Sequence, residues 1–216
     1  MGFFAKKGIL AGAMISIGAM FSMSVAQYGP LAQGVCFSLG LFGVICCKGS
    51  LFTGNVAKVS WVWDGDAAYD EVYSLWIHSW WMNLLGAFCV ALMASRIGFD
   101  ANFAAQTKAA TEPIEIFVRA ILCNVLVCFA VGVSNSAINV VDVLAACILP
   151  VACFVACGFE HSIADMFYMV LGMLNGAVEF GDAFRVVMFA TAGNIIGGLL
   201  ITSLAYEGKI DEEKPE

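Results

Sequence analysis

Residues 158–166 read Gly158-Phe159-Glu160-His161-Ser162-Ile163-Ala164-Asp165-Met166, with the ionisable pair Glu160 and His161 set inside an almost unbroken apolar stretch. A charged side chain at membrane depth costs at least ~2.5–3.5 kcal/mol, so such groups are kept where they serve a purpose. Histidine is the least costly of them, because it sits neutral or takes a proton near physiological pH. The alternative is a core histidine satisfied by neighbouring helices, and what surrounds this stretch decides between the two.

Outward from it, the 216 residues are 61% hydrophobic and only 12% charged, with a mean hydropathy of +0.88. Soluble domains carry about 25% charged residues. Each apolar run is long enough to cross a hydrocarbon core, which takes about 20 helical residues. The composition therefore specifies an all-α polytopic membrane protein. The formal charge of −7 is concentrated in a loop with Asp64, Asp66, Asp70 and Glu71 and in a tail with Asp211 to Glu213, which argues against a nucleic-acid partner. Nine cysteines (36, 46, 47, 89, 123, 128, 147, 153 and 157) lie in apolar runs without a Cys-x-x-Cys. They read as small buried hydrophobes, so no metal and no cofactor is expected.

Apolar runs and their punctuation give six spans, at about 8–27, 31–63, 72–95, 114–133, 138–173 and 183–206. The first, after Lys6-Lys7 and ending near Ser24-Val25-Ala26-Gln27, also resembles a signal peptide. It is long for one, and an internal repeat requires it as a helix. Spans two and five are too long for one straight crossing and carry polar residues near 49–54 and 158–162, so both read as broken helices. Trp61, Trp63, Trp76, Trp80 and Trp81 flank the second connection, as an interfacial belt does. Lys6, Lys7, Lys58, Lys209 and Lys214 on one side, against Arg96, Lys108 and Arg185 on the other, place both termini in the cytoplasm.

The two halves repeat. Lys7-Gly8-Ile9-Leu10 answers Arg119-Ala120-Ile121-Leu122, and Phe52-Thr53-Gly54-Asn55 answers Phe159-Glu160-His161-Ser162. Asn83-Leu84-Leu85-Gly86 answers Asn194-Ile195-Ile196-Gly197. Three crossings per unit is an odd number, so the copies are inverted, an architecture that places transport sites where broken helices meet. Irregular backbone at that depth lines a cavity or is buried in protein. The breaks therefore bring Thr53 and His161 together at mid-membrane. The organisation expected is one transmembrane domain over 1–216, with repeat 1 at about 7–95, a connecting loop at 96–112, repeat 2 at 113–206 and a short cytoplasmic tail at 207–216.

Cys36-Phe37-Ser38-Leu39-Gly40-Leu41, Leu51-Phe52-Thr53-Gly54-Asn55, Ile121 to Cys128, Gly158-Phe159-Glu160-His161-Ser162 and Gly193 to Gly198 together resemble the formate/nitrite transporter family, over about residues 8–205. The resemblance implies an aquaporin-like protomer with its own pore, in a homopentamer of the bacterial cytoplasmic membrane whose central axis does not conduct substrate. It implies that His161 is the central pore histidine and Thr53 its hydrogen-bonding neighbour. Phe37, Leu41, Leu51, Phe52, Phe154 and Val127 fall at hydrophobic constrictions. Lys108 matches a vestibule lysine that draws anions in, and Asn124 and Asn194 match asparagines that support the breaks. About seven residues precede the first span where family members carry a longer lead, so gating by an amino-terminal helix is not carried over.

Glu160 is expected to take up free N–H groups at the start of the helix after the break. His78, among tryptophans, reads as an interface residue, and Lys48 is left outside the pore. The function expected is a channel for a small monovalent anion, formate first, with hydrosulfide and nitrite as alternatives, and not an enzyme. A proton accompanies the anion, resting either on it or on His161. A more distant reading is a neutral-solute channel, but neither break reads Asn-Pro-Ala.

Overall fold

The computed structural model describes residues 2–207. The tail carrying Lys209, Lys214 and Asp211 to Glu213 lies outside the described residues. Among them the chain is helical throughout: α1 (Gly2–Ser24), α2 (Pro30–Cys46), α3 (Phe52–Asn55), α4 (Ser60–Trp63), α5 (Tyr69–Arg96), α6 (Asn102–Ala110), α7 (Pro113–Asn135), α8 (Val140–Ala156), α9 (Ser162–Leu174) and α10 (Phe180–Ala205). A 3-10 turn at Val56–Val59 joins α3 to α4. Four helices, Ala5–Ser24 within α1, α5, α7 and α10, are long and apolar enough to cross a membrane, and α2, α8 and α9 are shorter apolar helices.

Polarity is distributed inside out. Phe21, Leu39, Phe88, Leu92, Phe129 and Leu200 are exposed on the outer surface, whereas Thr53, Asn83, Asn124, Glu160, His161, Asp165 and Asn194 are buried. A surrounding hydrocarbon solvent reverses the usual preference: apolar side chains face out, and polar ones collect where they find partners.

Helix α1 packs along α5 and α7 along α10, and the halves meet through α2 on α8 and α5 on α9. Glycines allow the close approaches. A Cβ on Gly86 would fall on the backbone of Ile9, and one on Gly197 on the backbone of Ile121. Small residues at such contacts let helices associate through backbone packing when lipid removes the hydrophobic drive.

The segments 47–51 and 157–161 leave helix by the same route. The amide of Gly49 bonds the carbonyl of Val44 at 2.7 Å, and that of Phe159 bonds Phe154 at 2.9 Å. Each turn passes through one left-handed residue, Lys48 at φ 53° and Gly158 at φ 67°. This is the Schellman closure, which satisfies the last carbonyls of a helix. The chain then re-enters helix at Phe52 and at Ser162.

Two tryptophans depart from the expected interfacial belt. Trp76 Nε1 donates to the carbonyl of Asn55 at 2.8 Å and Trp80 Nε1 to Thr191 Oγ1 at 3.0 Å, so both turn inward, while Trp61 and Trp81 stay exposed. The cysteines also differ: Cys123, Cys128 and Cys147 are buried, but Cys46, Cys47, Cys89, Cys153 and Cys157 are on the protein surface. An exposed thiol is still an apolar group against lipid.

Candidate functional site

Two asparagines hold the segments around 47–51 and 157–161 in matching ways. Asn83 on α5 accepts the amide of Phe52 at 2.8 Å through Oδ1, and its Nδ2 donates to the carbonyls of Gly8 and Ser50, each at 2.9 Å. Asn194 on α10 accepts the amide of Ser162 at 2.8 Å, and its Nδ2 donates to Ala120 at 2.8 Å and Glu160 at 3.0 Å. Each amide side chain thus satisfies two backbone groups of the non-helical segment, a requirement in a low-dielectric interior, and ties that segment to a carbonyl of a neighbouring long helix. This pattern departs from the register expected from the sequence. It pairs Phe52 with Ser162 and Ser50 with Glu160, not Phe52 with Phe159, while Gly8 with Ala120 and Asn83 with Asn194 keep the expected pairing. Asn124 on α7 ties the halves together, donating to the carbonyls of Asn194 at 2.6 Å and Thr53 at 3.2 Å.

His161 caps α9. Its Nδ1 accepts the amide of Ala164 at 3.2 Å, and its Nε2 lies 3.1 Å from Thr53 Oγ1. A nitrogen that accepts an N–H bears no proton, so the network assigns the neutral tautomer with hydrogen on Nε2, donating to Thr53. The Thr53 hydroxyl is left with a hydrogen to donate onward. The Phe154 ring stacks on the imidazole at 5.9 Å between centroids and 17° between planes, and Phe37 meets Phe154 edge-on at 5.6 Å. Phe37, Leu41, Leu51, Phe52, Val127 and Phe154 are all buried and belong to one core cluster.

The structure differs from expectation at Lys108 and Glu160. Lys108, on α6, is not an open vestibule cation. Its side chain is 17% exposed, and Nζ pairs with the Glu160 carboxylate and lies 2.8 Å from Asp165 Oδ1. Burial alone would lower its pKa, but Asp165 and Glu160 outweigh that and hold it above the ordinary lysine value. Glu160 in turn spends its carboxylate on Lys108 and not on the start of α9, where Asn194 and His161 take the free amides. Asp165 was missed by sequence reading. The signal was its position four residues after His161, which returns it to the same face of a helix beginning at Ser162.

A cavity of about 740 Å3 approaches this centre, lined among others by Gly54, Lys58, Trp61, Asp64, Cys128 and Tyr206. Cys128 Sγ contacts the carbonyl of Thr53 at 3.5 Å, so the cavity stops one layer short of the Thr53–His161 pair. Lys58 stands over the Trp61 ring at 4.8 Å, and Tyr206 donates to Asp64 at 2.8 Å. His78 lies on the exposed side of α5, its Nδ1 2.8 Å from the carbonyl oxygen of Ser74. Lys48 is exposed at the end of α2. No group of three or more metal-ligating side chains occurs among the described residues.

An all-helical membrane protein with a buried histidine stacked on a phenylalanine ring and a cavity ending one layer away has the construction of a channel. The chain belongs to the formate/nitrite transporter family, whose model matches residues 3–207. It is 31% identical over 236 aligned residues to the formate channel FocA of Escherichia coli K12, covering 92% of this chain and 83% of the relative. Among solved structures it is similar to an FNT family ion channel, with a TM-score of 0.88 at 24% identity over 94% of this chain and 88% of that one. It is also similar to a pentameric formate channel with formate bound, with a TM-score of 0.79 at 28% identity over 94% of each chain.

Proposed function

We propose that this protein is a channel for small monovalent anions, formate first, with a pore through each protomer of a homopentamer in the bacterial cytoplasmic membrane. In this reading nine of the ten helices make six crossings in two inverted units, with α2–α4 and α8–α9 as the interrupted ones, α6 in the connecting loop and both termini cytoplasmic. The matching asparagine clasps and helix exits of the two halves support it, as do the relatives named above. The single observation that carries the functional reading is the Thr53–His161 contact at 3.1 Å, with Phe154 stacked on the imidazole and Phe37 edge-on to Phe154.

The physical problem is the charge. Phe37, Leu41, Leu51, Phe52, Phe154 and Val127 form a sleeve with no polar side chain among them, and a bare anion entering it loses its water. An unpaired charge in such surroundings escapes its desolvation cost by neutralisation. Two routes supply that: a proton on the anion, or a proton on His161. The network favours the first. Protonating His161 at Nδ1 would set two N–H groups against each other and forfeit the cap on α9, a cost of about 1 kcal/mol before desolvation. His161 therefore stays neutral, orients Thr53, and the threonine hydroxyl donates to a substrate oxygen. The anion takes its proton at the mouth and crosses the sleeve as the acid.

Hydrosulfide and nitrite pass the same test of size and charge and remain the alternatives. A proteoliposome flux panel of formate, nitrite, hydrosulfide, acetate and lactate at two pH values tests the reading. Formate flux exceeding that of lactate and rising at the lower pH is the expected result. Equal flux of all five, or none of formate, rejects it.

A further inference from the structure

The wall behind His161 carries an unbalanced set of charges. Lys108 brings one ammonium, and Glu160 and Asp165 bring two carboxyls whose side chains are 4% and 0% exposed. Asp165 Oδ2 is buried with no hydrogen-bond partner, and the Glu160 and Asp165 carboxyls converge on the same Lys108 Nζ. Two carboxylates are acceptors only, so two of them gathered on a single buried ammonium leave room for a proton on one. Like charges that close in a low dielectric do not both ionise.

The first half of the molecule shows what this arrangement replaces. In the register of the asparagine bonds Ser50 and Asn55 stand where Glu160 and Asp165 stand, and Asn55 Nδ2 donates to Ser50 Oγ at 2.9 Å. An amide hydrogen closes that neutral pair. In the second half both partners are carboxyls, and an acidic hydrogen is the only one available to close it.

Neighbouring charges do not make up the deficit. Arg119 on α7 donates to the carbonyl of Gly158 but is paired with Glu115 at 2.5 Å. Arg185 on α10 bonds the carbonyls of Thr111 and Ala109 beside α6 and is paired with Asp182 at 3.3 Å. Cys123 on α7 and Tyr168, whose ring lies 5.5 Å from Lys108 Nζ, complete the surroundings as neutral groups.

We infer that Glu160 and Asp165 share one proton over the Lys108 ammonium, forming a proton-binding site on the wall of the Thr53–His161 chamber. Lys108, partly exposed, gives the site its contact with water. The amide of Asp165 bonds the carbonyl of His161 at 2.9 Å, and Asn194 holds the carbonyl of Glu160, so the site is braced against the pore backbone. With its proton the cluster is neutral overall. Without it, one net negative charge stands beside the path of the anion. The consequence for transport, which rests on the channel reading above, is that losing this proton at alkaline pH slows anion passage.

Infrared spectroscopy of the protein in lipid tests the site without any flux measurement. Among the described residues Glu160 and Asp165 are the buried carboxyls, and ordinary exposed carboxyls are ionised at about pH 7. The expected result is a protonated-carboxyl stretch at that pH that shifts in D2O and disappears in Asp165→Asn, where the amide restores the neutral pairing of the first half. Glu160→Gln removes it as well, and serves if Asp165→Asn fails to assemble. Absence of the band in the wild-type protein, or its persistence in either variant, overturns the proposal. The two readings fail separately: no band with intact formate flux rejects the proton site alone, and a band without formate flux rejects the channel reading alone.

Discussion

Thr53 Oγ1 and His161 Nε2, 108 residues apart in sequence, meet at 3.1 Å, and the opposite ring nitrogen of His161 caps α9. The histidine is therefore fixed at both nitrogens, and its orientation is set by the backbone of one half and a hydroxyl of the other. Thr53→Val keeps the shape and removes the acceptor of the imidazole N–H together with the donor proposed above for the substrate. We expect normal assembly and a roughly tenfold fall in formate flux, the equivalent of one hydrogen bond worth about 1.4 kcal/mol. Stopped-flow flux into proteoliposomes measures it.

Asn83 and Asn194 each satisfy two backbone groups at the buried segments around 50–52 and 160–162 and bond a carbonyl of α1 or α7 besides. Replacing either by alanine strands those groups away from water, and a buried unsatisfied group costs about 1–3 kcal/mol. Loss of about 3 kcal/mol or more is expected for each, seen as a lower melting temperature in detergent. Equal loss in the two variants would reflect their matched roles.

Glycine effects should follow contact and not sequence position. Gly197 faces the backbone of Ile121, whereas Gly181, on the same helix, has open space around it. Gly197→Ala is expected to destabilise by about 1–3 kcal/mol through overpacking. Gly181→Ala is expected to be neutral or stabilising by up to about 1 kcal/mol. Thermal unfolding of the two variants side by side gives the comparison.

The ammonium of Lys108 is held above its ordinary pKa by Asp165 and Glu160 against the effect of burial. A raised folded pKa contributes stability that is fully present below the unfolded value of about 10.4 and is lost only as pH rises through the folded one. Lys108 thus keeps its charge across the neutral range and contributes no pH dependence to flux there. Lys108→Met leaves buried carboxyls without a cation and should cost about 3–5 kcal/mol. Adding Glu160→Gln should recover part of that in the same melting assay.

Much of the all-helical fold was legible because lipid imposes simple constraints: long apolar runs mark long helices, and composition marks a membrane protein. The meeting of Thr53 with His161 followed from the repeat. The register of the second break did not, because Phe52 and Phe159 look alike in sequence while the clasp bonds are made by backbone amides that carry no residue signature. Lys108 and Glu160 were read singly, one as a vestibule charge and one as a helix-start acceptor. Their pairing depends on how the loop helix α6 folds back onto α9, a tertiary placement with no local pattern. Asp165 escaped notice for the same reason, since its significance lies in what it faces.

The central claim is that the anion crosses as its neutral acid through a chamber organised by His161. Formate flux into proteoliposomes between pH 5 and 8, in wild type and His161→Asn, tests it most directly. Asparagine is among the best helix caps, so the variant keeps α9 closed while removing the ring nitrogen that faces Thr53. Because neutralising formate consumes a proton, wild-type flux should rise steadily as pH falls, and the variant should lose about tenfold or more of it at every pH. Wild-type flux indifferent to pH, or a His161→Asn variant that carries formate as fast and with the same pH profile, would contradict the account.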